Sequence, residues 1–198
     1  MVVDWALTAV FAALVLPCVL RLVRLDYTRL GHGVRHGDLA ELLLVLAMVA
    51  MVSPVGGPIP AAGWQAVLAL TTGWFAVAWW RGRSCCAHHA LSAAAMFYMV
   101  TAMPGGMDHG PWLTMSTMDA RLAVPLIAVV AAGYFVVDAA WSGVLVVRGS
   151  AIARVWSGAG AGFGARAGAV AGAGQASRAA CRAAMGAGMG YLLLASAL

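Results

Sequence analysis

The sequence contains no lysine: its twelve basic residues are all arginine, and charged residues make up only 10% of the 198 positions. A soluble domain carries about 25% charged residues, so that shortage excludes an ordinary water-facing fold. Strict alternation of polar and apolar residues is also missing, as in LLLVLAMVAMV, and this argues against a β-barrel. No Gly-x-Ser-x-Gly elbow, phosphate loop or His-Glu-x-x-His helix is present, which removes the hydrolases, nucleotidases and zinc proteases that those motifs build. Only four cysteines occur, too few and too scattered for a disulfide framework.

Hydrophobic residues make up 63% of the chain. They fall into six apolar segments, roughly Trp5–Leu20, Leu39–Pro54, Ala62–Trp80, Cys86–Met103, Leu122–Val147 and Ala179–Leu198. Each approaches the ~20 residues a helix needs to cross a bilayer. Lipid forces a backbone to satisfy its own hydrogen bonds, so the segments are expected as helices. The fold expected is an all-α bundle of about six transmembrane helices forming one membrane domain, in a bacterial cell membrane. The first segment follows Asp4 with no basic residue before it, unlike a signal peptide, and is kept as a span.

Arginine position gives orientation. Arg21, Arg24, Arg29, Arg35, Arg81, Arg83, Arg148, Arg154, Arg166, Arg178 and Arg182 fall on one side, and only Arg121 on the other. By the positive-inside rule both termini then face outward. The formal charge of +5 is a topology signal on this reading, and a nucleic-acid partner is not expected. The Gly/Ala-rich stretch 149–177 reads as a flexible or partly helical cytoplasmic linker, while Gly186 and Gly190 place small residues on one face of the last span. Such faces let membrane helices approach closely, within a homo-oligomer or against a membrane-complex partner.

Eleven methionines are the least usual feature. Met48 and Met51, Met96 and Met99, and Met115 and Met118 stand three apart; Met103 and Met107 stand four apart. Residues at these spacings share a helix face. Thioether and imidazole suit a soft cation such as Cu(I), which makes Met107, His109, Met115 and Met118 a capture loop. Met103, Met99, Met96, Met51 and Met48 continue inward toward His89. Methionine is also an ordinary flexible filler of apolar cores, and packing is the competing reading.

The second constellation lies at the inner side. CCAHH opens the fourth segment, Asp38 and Glu41 open the second, and Asp138 sits inside the fifth. An acid at membrane depth pairs or functions. Glu41, His88 and Asp138 are therefore candidates for proton or ion coupling, the alternative being that Asp138 pairs with an arginine or histidine, with Arg148 two to three turns beyond it on the same segment. Adjacent cysteines and adjacent histidines do not match structural zinc spacing. A bis-histidine haem is not expected, since Glu41 stands where a second ligand would be needed.

The segments DLAELLLVLAMVAMVSP and HHALSAAAMFYMVTAMP both run from a polar start to Ala-Met-x-x-Met and a proline. With the opening WALTAVFAALVLPCVLRLVR, this pattern resembles the small actinobacterial multi-pass membrane proteins grouped as domain of unknown function 5134. The resemblance points to His89, Met96, Met99, Met48 and Met51, and implies no reaction. The chain is thus read as a non-enzymatic multi-pass membrane protein that binds or moves a soft metal such as Cu(I). The alternatives are an accessory subunit of a larger membrane complex and a proton-coupled transporter organised around Asp138.

Overall fold

The computed structural model of the chain describes residues 2–30, 32–54, 59–82, 86–102, 125–157 and 163–197. Its elements are helix α1 (Val2–Arg24), the four-residue turn α2 (Tyr27–Leu30), then α3 (His32–Val52), α4 (Ala61–Trp80), α5 (Ala87–Ala102), α6 (Pro125–Ser157) and α7 (Phe163–Ala197). No β-strand occurs among the described residues. Each expected apolar segment coincides with one long helix. The ends differ most in the Gly/Ala stretch, where α6 runs on to Ser157 and α7 already begins at Phe163. Alanine is the best helix former and offsets the glycines between. At the end of α4, Gly82 takes φ 85° and donates its N–H to the Trp79 carbonyl at 2.9 Å. That left-handed cap favours glycine and stops the helix.

Three hairpins organise the bundle: α1 packs most extensively on α3, α4 on α5 and α6 on α7. The first member of each is long and apolar enough to cross a membrane, over Val3–Arg24, Ala61–Trp80 and Leu126–Val144. These helices turn Leu16, Leu70, Trp80, Leu126 and Val137 outward, while Arg21, Asp38, Glu41 and His88 are buried. A water-soluble fold places those residue types the other way round. An apolar exterior over a core that encloses ionisable groups fits lipid as the surrounding solvent.

The second members carry the core, with α3 in contact with α1, α5 and α7. Their buried faces follow one order. On α3 it is Asp38, Glu41, Leu44, Met48 and Met51; on α5 His88, Ser92, Met96 and Met99; on α7 Cys181, Met185 and Met189. Steps of three or four residues keep each set on one face, so every face starts polar and ends in thioethers. The six methionines join one continuous core with Phe11, Leu68 and Phe135.

The small-residue face of α7 is used inside the chain. A Cβ on Gly186 would stand 3.0 Å from the Phe135 carbonyl oxygen, and one on Gly190 3.2 Å from Val136 Cγ2. The close approach expected from Gly186 and Gly190 is therefore made with α6, which fills the face assigned to a second copy or a partner helix.

Candidate functional site

The polar starts of α3, α5 and α7 meet at one end of the bundle. Arg21, in the last turn of α1, is buried and donates from Nη2 to Glu41 Oε2 at 2.7 Å and to Cys18 Sγ at 3.4 Å. Its Nε lies 4.0 Å from Asp38 Oδ1. Asp38 is gripped by Arg178, whose Nε and Nη2 each donate at 2.7 Å to separate carboxylate oxygens. Two parallel bonds of this kind fix orientation as well as charge. The Tyr27 hydroxyl donates to Asp38 Oδ2 at 2.8 Å. Burial, reinforced by that bond to a carboxylate, pushes the Tyr27 hydroxyl up to about 12.

The second knot joins α5, α6 and α7. Arg182 Nε donates to both Asp138 oxygens, at 3.1 and 2.9 Å, and its Nη2 donates to Oδ1 as well. His88 Nδ1 stands 3.3 Å from Asp138 Oδ2, and the Ser92 hydroxyl is 3.5 Å from His88 Nε2. His89 packs against the Phe75 ring at 5.2 Å between centroids.

Asp38, Glu41 and Asp138 thus oppose Arg21, Arg178 and Arg182, so the acids and arginines balance in charge. Pairing is what makes such groups tolerable away from water. The hydrogen-bonding capacity, however, is not used up. Glu41 Oε1, Arg21 Nε and Nη1, and Nδ1 of both His88 and His89 are buried without a hydrogen-bond partner. Nearby lies a cavity of about 570 Å³ bordered by Asp38, Glu41, His88, His89, Arg178 and Arg182. Its size suits a small molecule or hydrated ion. Asp138 stands behind that wall, reached through His88 and Arg182.

Of the residues singled out from sequence, Glu41, His88 and His89 share this cavity, and Asp138 lies behind it against His88 and Arg182. Asp138 has the arginine and histidine partners that the pairing alternative expects: Arg182 on α7 and His88 on α5, while Arg148 on its own helix is exposed. Met48, Met51, Met96 and Met99 are each fully buried in the apolar core. Met103, Met107, His109, Met115 and Met118 lie outside the described residues, as does Cys85.

Sequence reasoning missed the second role of the arginines. Arg21, Arg178 and Arg182 read as topology signals, yet each holds a carboxylate. Missed too was the approach of Cys18 to Cys181, 3.9 Å apart across 163 residues. One signal pointed there: Cys18 and Arg21, and likewise Arg178, Cys181 and Met185, recur at helical spacing.

No curated protein and no solved structure matches this chain. The model of one family matches residues 33–196, most of the sequence, which takes in both polar knots apart from Arg21 and Tyr27, and all six core methionines. The chain belongs to the family described as Domain of unknown function (DUF5134).

Proposed function

We propose that this chain is a six-helix, multi-pass membrane protein without enzymatic activity, and that it takes up protons through its polar cavity on the cytoplasmic side. One observation carries the reading: His88 borders the cavity and faces Asp138 at 3.3 Å, while Asp138 is already held by Arg182 from another helix. A proton reaching His88 creates a second cation beside one carboxylate. Asp138 must then share its charge between α5 and α7, so proton occupancy is converted into a force between helices. Intramembrane acids with such partners are characteristic of proton relays. Glu41, with one oxygen unpartnered at the same cavity, is the second acceptor.

The test is proton uptake by liposomes containing the purified protein, driven by a potassium diffusion potential and read with a trapped pH dye. Uptake above that of empty liposomes, reduced at least tenfold by Asp138→Asn in protein that still folds and inserts at the same yield, is expected. Uptake equal in the two proteins removes Asp138 from the path, and none above empty liposomes ends the reading.

A second reading is favoured by the gathering of Met48, Met51, Met96, Met99, Met185 and Met189 in one core. Such a thioether interior is a chemically apt route for Cu(I), with Met103, Met107, His109, Met115 and Met118 as its outer approach. Cu(I) stoichiometry on detergent-purified protein, compared with a variant carrying leucine at 96, 99, 115 and 118, decides it. Equal binding by both proteins, or none by either, dismisses the copper path.

A further inference from the structure

Cys18 on α1 and Cys181 on α7 point their thiols at one another, with Sγ atoms 3.9 Å apart, and neither is in a disulfide. One oxygen of Glu41 on α3 completes a set of three donor atoms, all within 4.8 Å of one another and all on buried residues. The Glu41 side chain is only 6% exposed, and its Oε1 has no hydrogen-bond partner. A buried carboxylate oxygen normally finds one. We infer that Cys18, Cys181 and Glu41 form a binding site for a thiophilic divalent cation, zinc above all.

Geometry agrees with that ion. Tetrahedral zinc with bonds of about 2.3 Å to sulfur separates two thiolates by about 3.8 Å. The carboxylate needs an approach to about 3.6 Å from each sulfur, a short movement from a set whose atoms already lie within 4.8 Å of one another. Charge agrees as well. Two thiolates and Glu41 carry three negative charges, and Arg21 returns one positive charge. A divalent cation then makes the cluster neutral, whereas Cu(I) leaves a net negative charge on buried groups, which is costly. A carboxylate among the donors also suits zinc better than the softer monovalent ion.

Loading is an exchange of two thiol protons for one Zn²⁺, with no redox partner needed. Both protons have an exit, because Glu41 also lines the cavity, which is the ion's way in. Arg21 stays where it is, donating to Cys18 Sγ and Glu41 Oε2, and so acts as the outer partner that orients two ligands. Three protein donors leave a fourth position open, unlike the closed four-ligand shell of structural zinc. This centre shares Glu41 with the proposed proton path but includes neither Asp138 nor either histidine, so zinc binding and Asp138-dependent proton uptake are read out separately.

The experiment begins with full-length protein carrying Cys85→Ser and Cys86→Ser, which leaves Cys18 and Cys181 as its remaining thiols. The protein is loaded with zinc in detergent, dialysed and studied by zinc X-ray absorption. One zinc per chain with two sulfur neighbours at about 2.3 Å is the expected result. Adding Cys18→Ser or Cys181→Ser should weaken zinc binding at least tenfold. If those variants do not fold, the absorption result alone decides. A first shell of nitrogen and oxygen only, or a protein that retains no zinc, overturns the inference. So does undiminished binding in a folded Cys18→Ser variant.

Discussion

The two ends of the inner helices share one set of faces but hold together by opposite means. At the polar end, contacts are directional and span distinct helices: Arg21 to Glu41 joins α1 to α3, Arg178 to Asp38 joins α7 to α3, and Asp138 gathers α5, α6 and α7. At the other end, Met48, Met51, Met96, Met99, Met185 and Met189 pack with no hydrogen bond to satisfy. Charged knots fix which helix lies beside which and in what register, whereas thioethers, flexible and polarizable, accept whatever shape results. The polar end should therefore be brittle and the methionine end forgiving.

Arg21→Met tests the brittle end most severely. Both Arg21 and Glu41 are buried to about the same degree, at 5% and 6% exposed. Removing one partner of such a pair costs about 3–5 kcal/mol, measured as loss of stability in detergent. Adding Glu41→Leu should recover most of that loss, because no uncompensated charge remains at the pair; failure to recover would show that Arg21 matters mainly to Asp38 and Cys18. Gly186→Leu comes next. Its side chain must displace the backbone of α6 at Phe135, an overpacking cost of about 1–3 kcal/mol, seen as a lowered melting temperature. Tyr27→Phe removes the bond to Asp38 while leaving Arg178 in place. A loss of about 1 kcal/mol is expected, and a larger one would make Tyr27 a principal support of the knot. Met48→Leu and Met96→Leu should cost the least, below about 1.5 kcal/mol each. A greater loss from either would mean that the thioether is required for more than filling space.

Much of this was legible because it is local. Apolar runs disclosed the helices, and steps of three between Met48 and Met51 or Met96 and Met99 disclosed their buried faces. Polar starts at Glu41 and His88 marked the end that carries charge. Pairing was not legible, because it depends on how hairpins are set against one another. Asp138 has Arg148 ahead of it on its own helix, yet bonds to Arg182, 44 positions away. Asp38 and Arg178 stand 140 apart. Nor could arginine counting distinguish a residue that marks topology from one that also closes a buried ion pair, since both sit at the same end of a helix. The helical continuation through 163–177 was hidden by glycine content, although the alanines between were signal enough.

The three hairpins also differ in how far each is complete by itself, and this bears on the order in which such a chain is assembled. The first hairpin neutralises Glu41 with its own Arg21 but draws on Arg178 of the last for Asp38, and the last neutralises Asp138 with its own Arg182. The middle hairpin brings His88 into the bundle with Ser92 as its nearby polar group, and its carboxylate neighbour belongs to α6. During synthesis α5 must therefore wait for α6, and a chain arrested after residue 102 should be the form that quality-control proteases recognise.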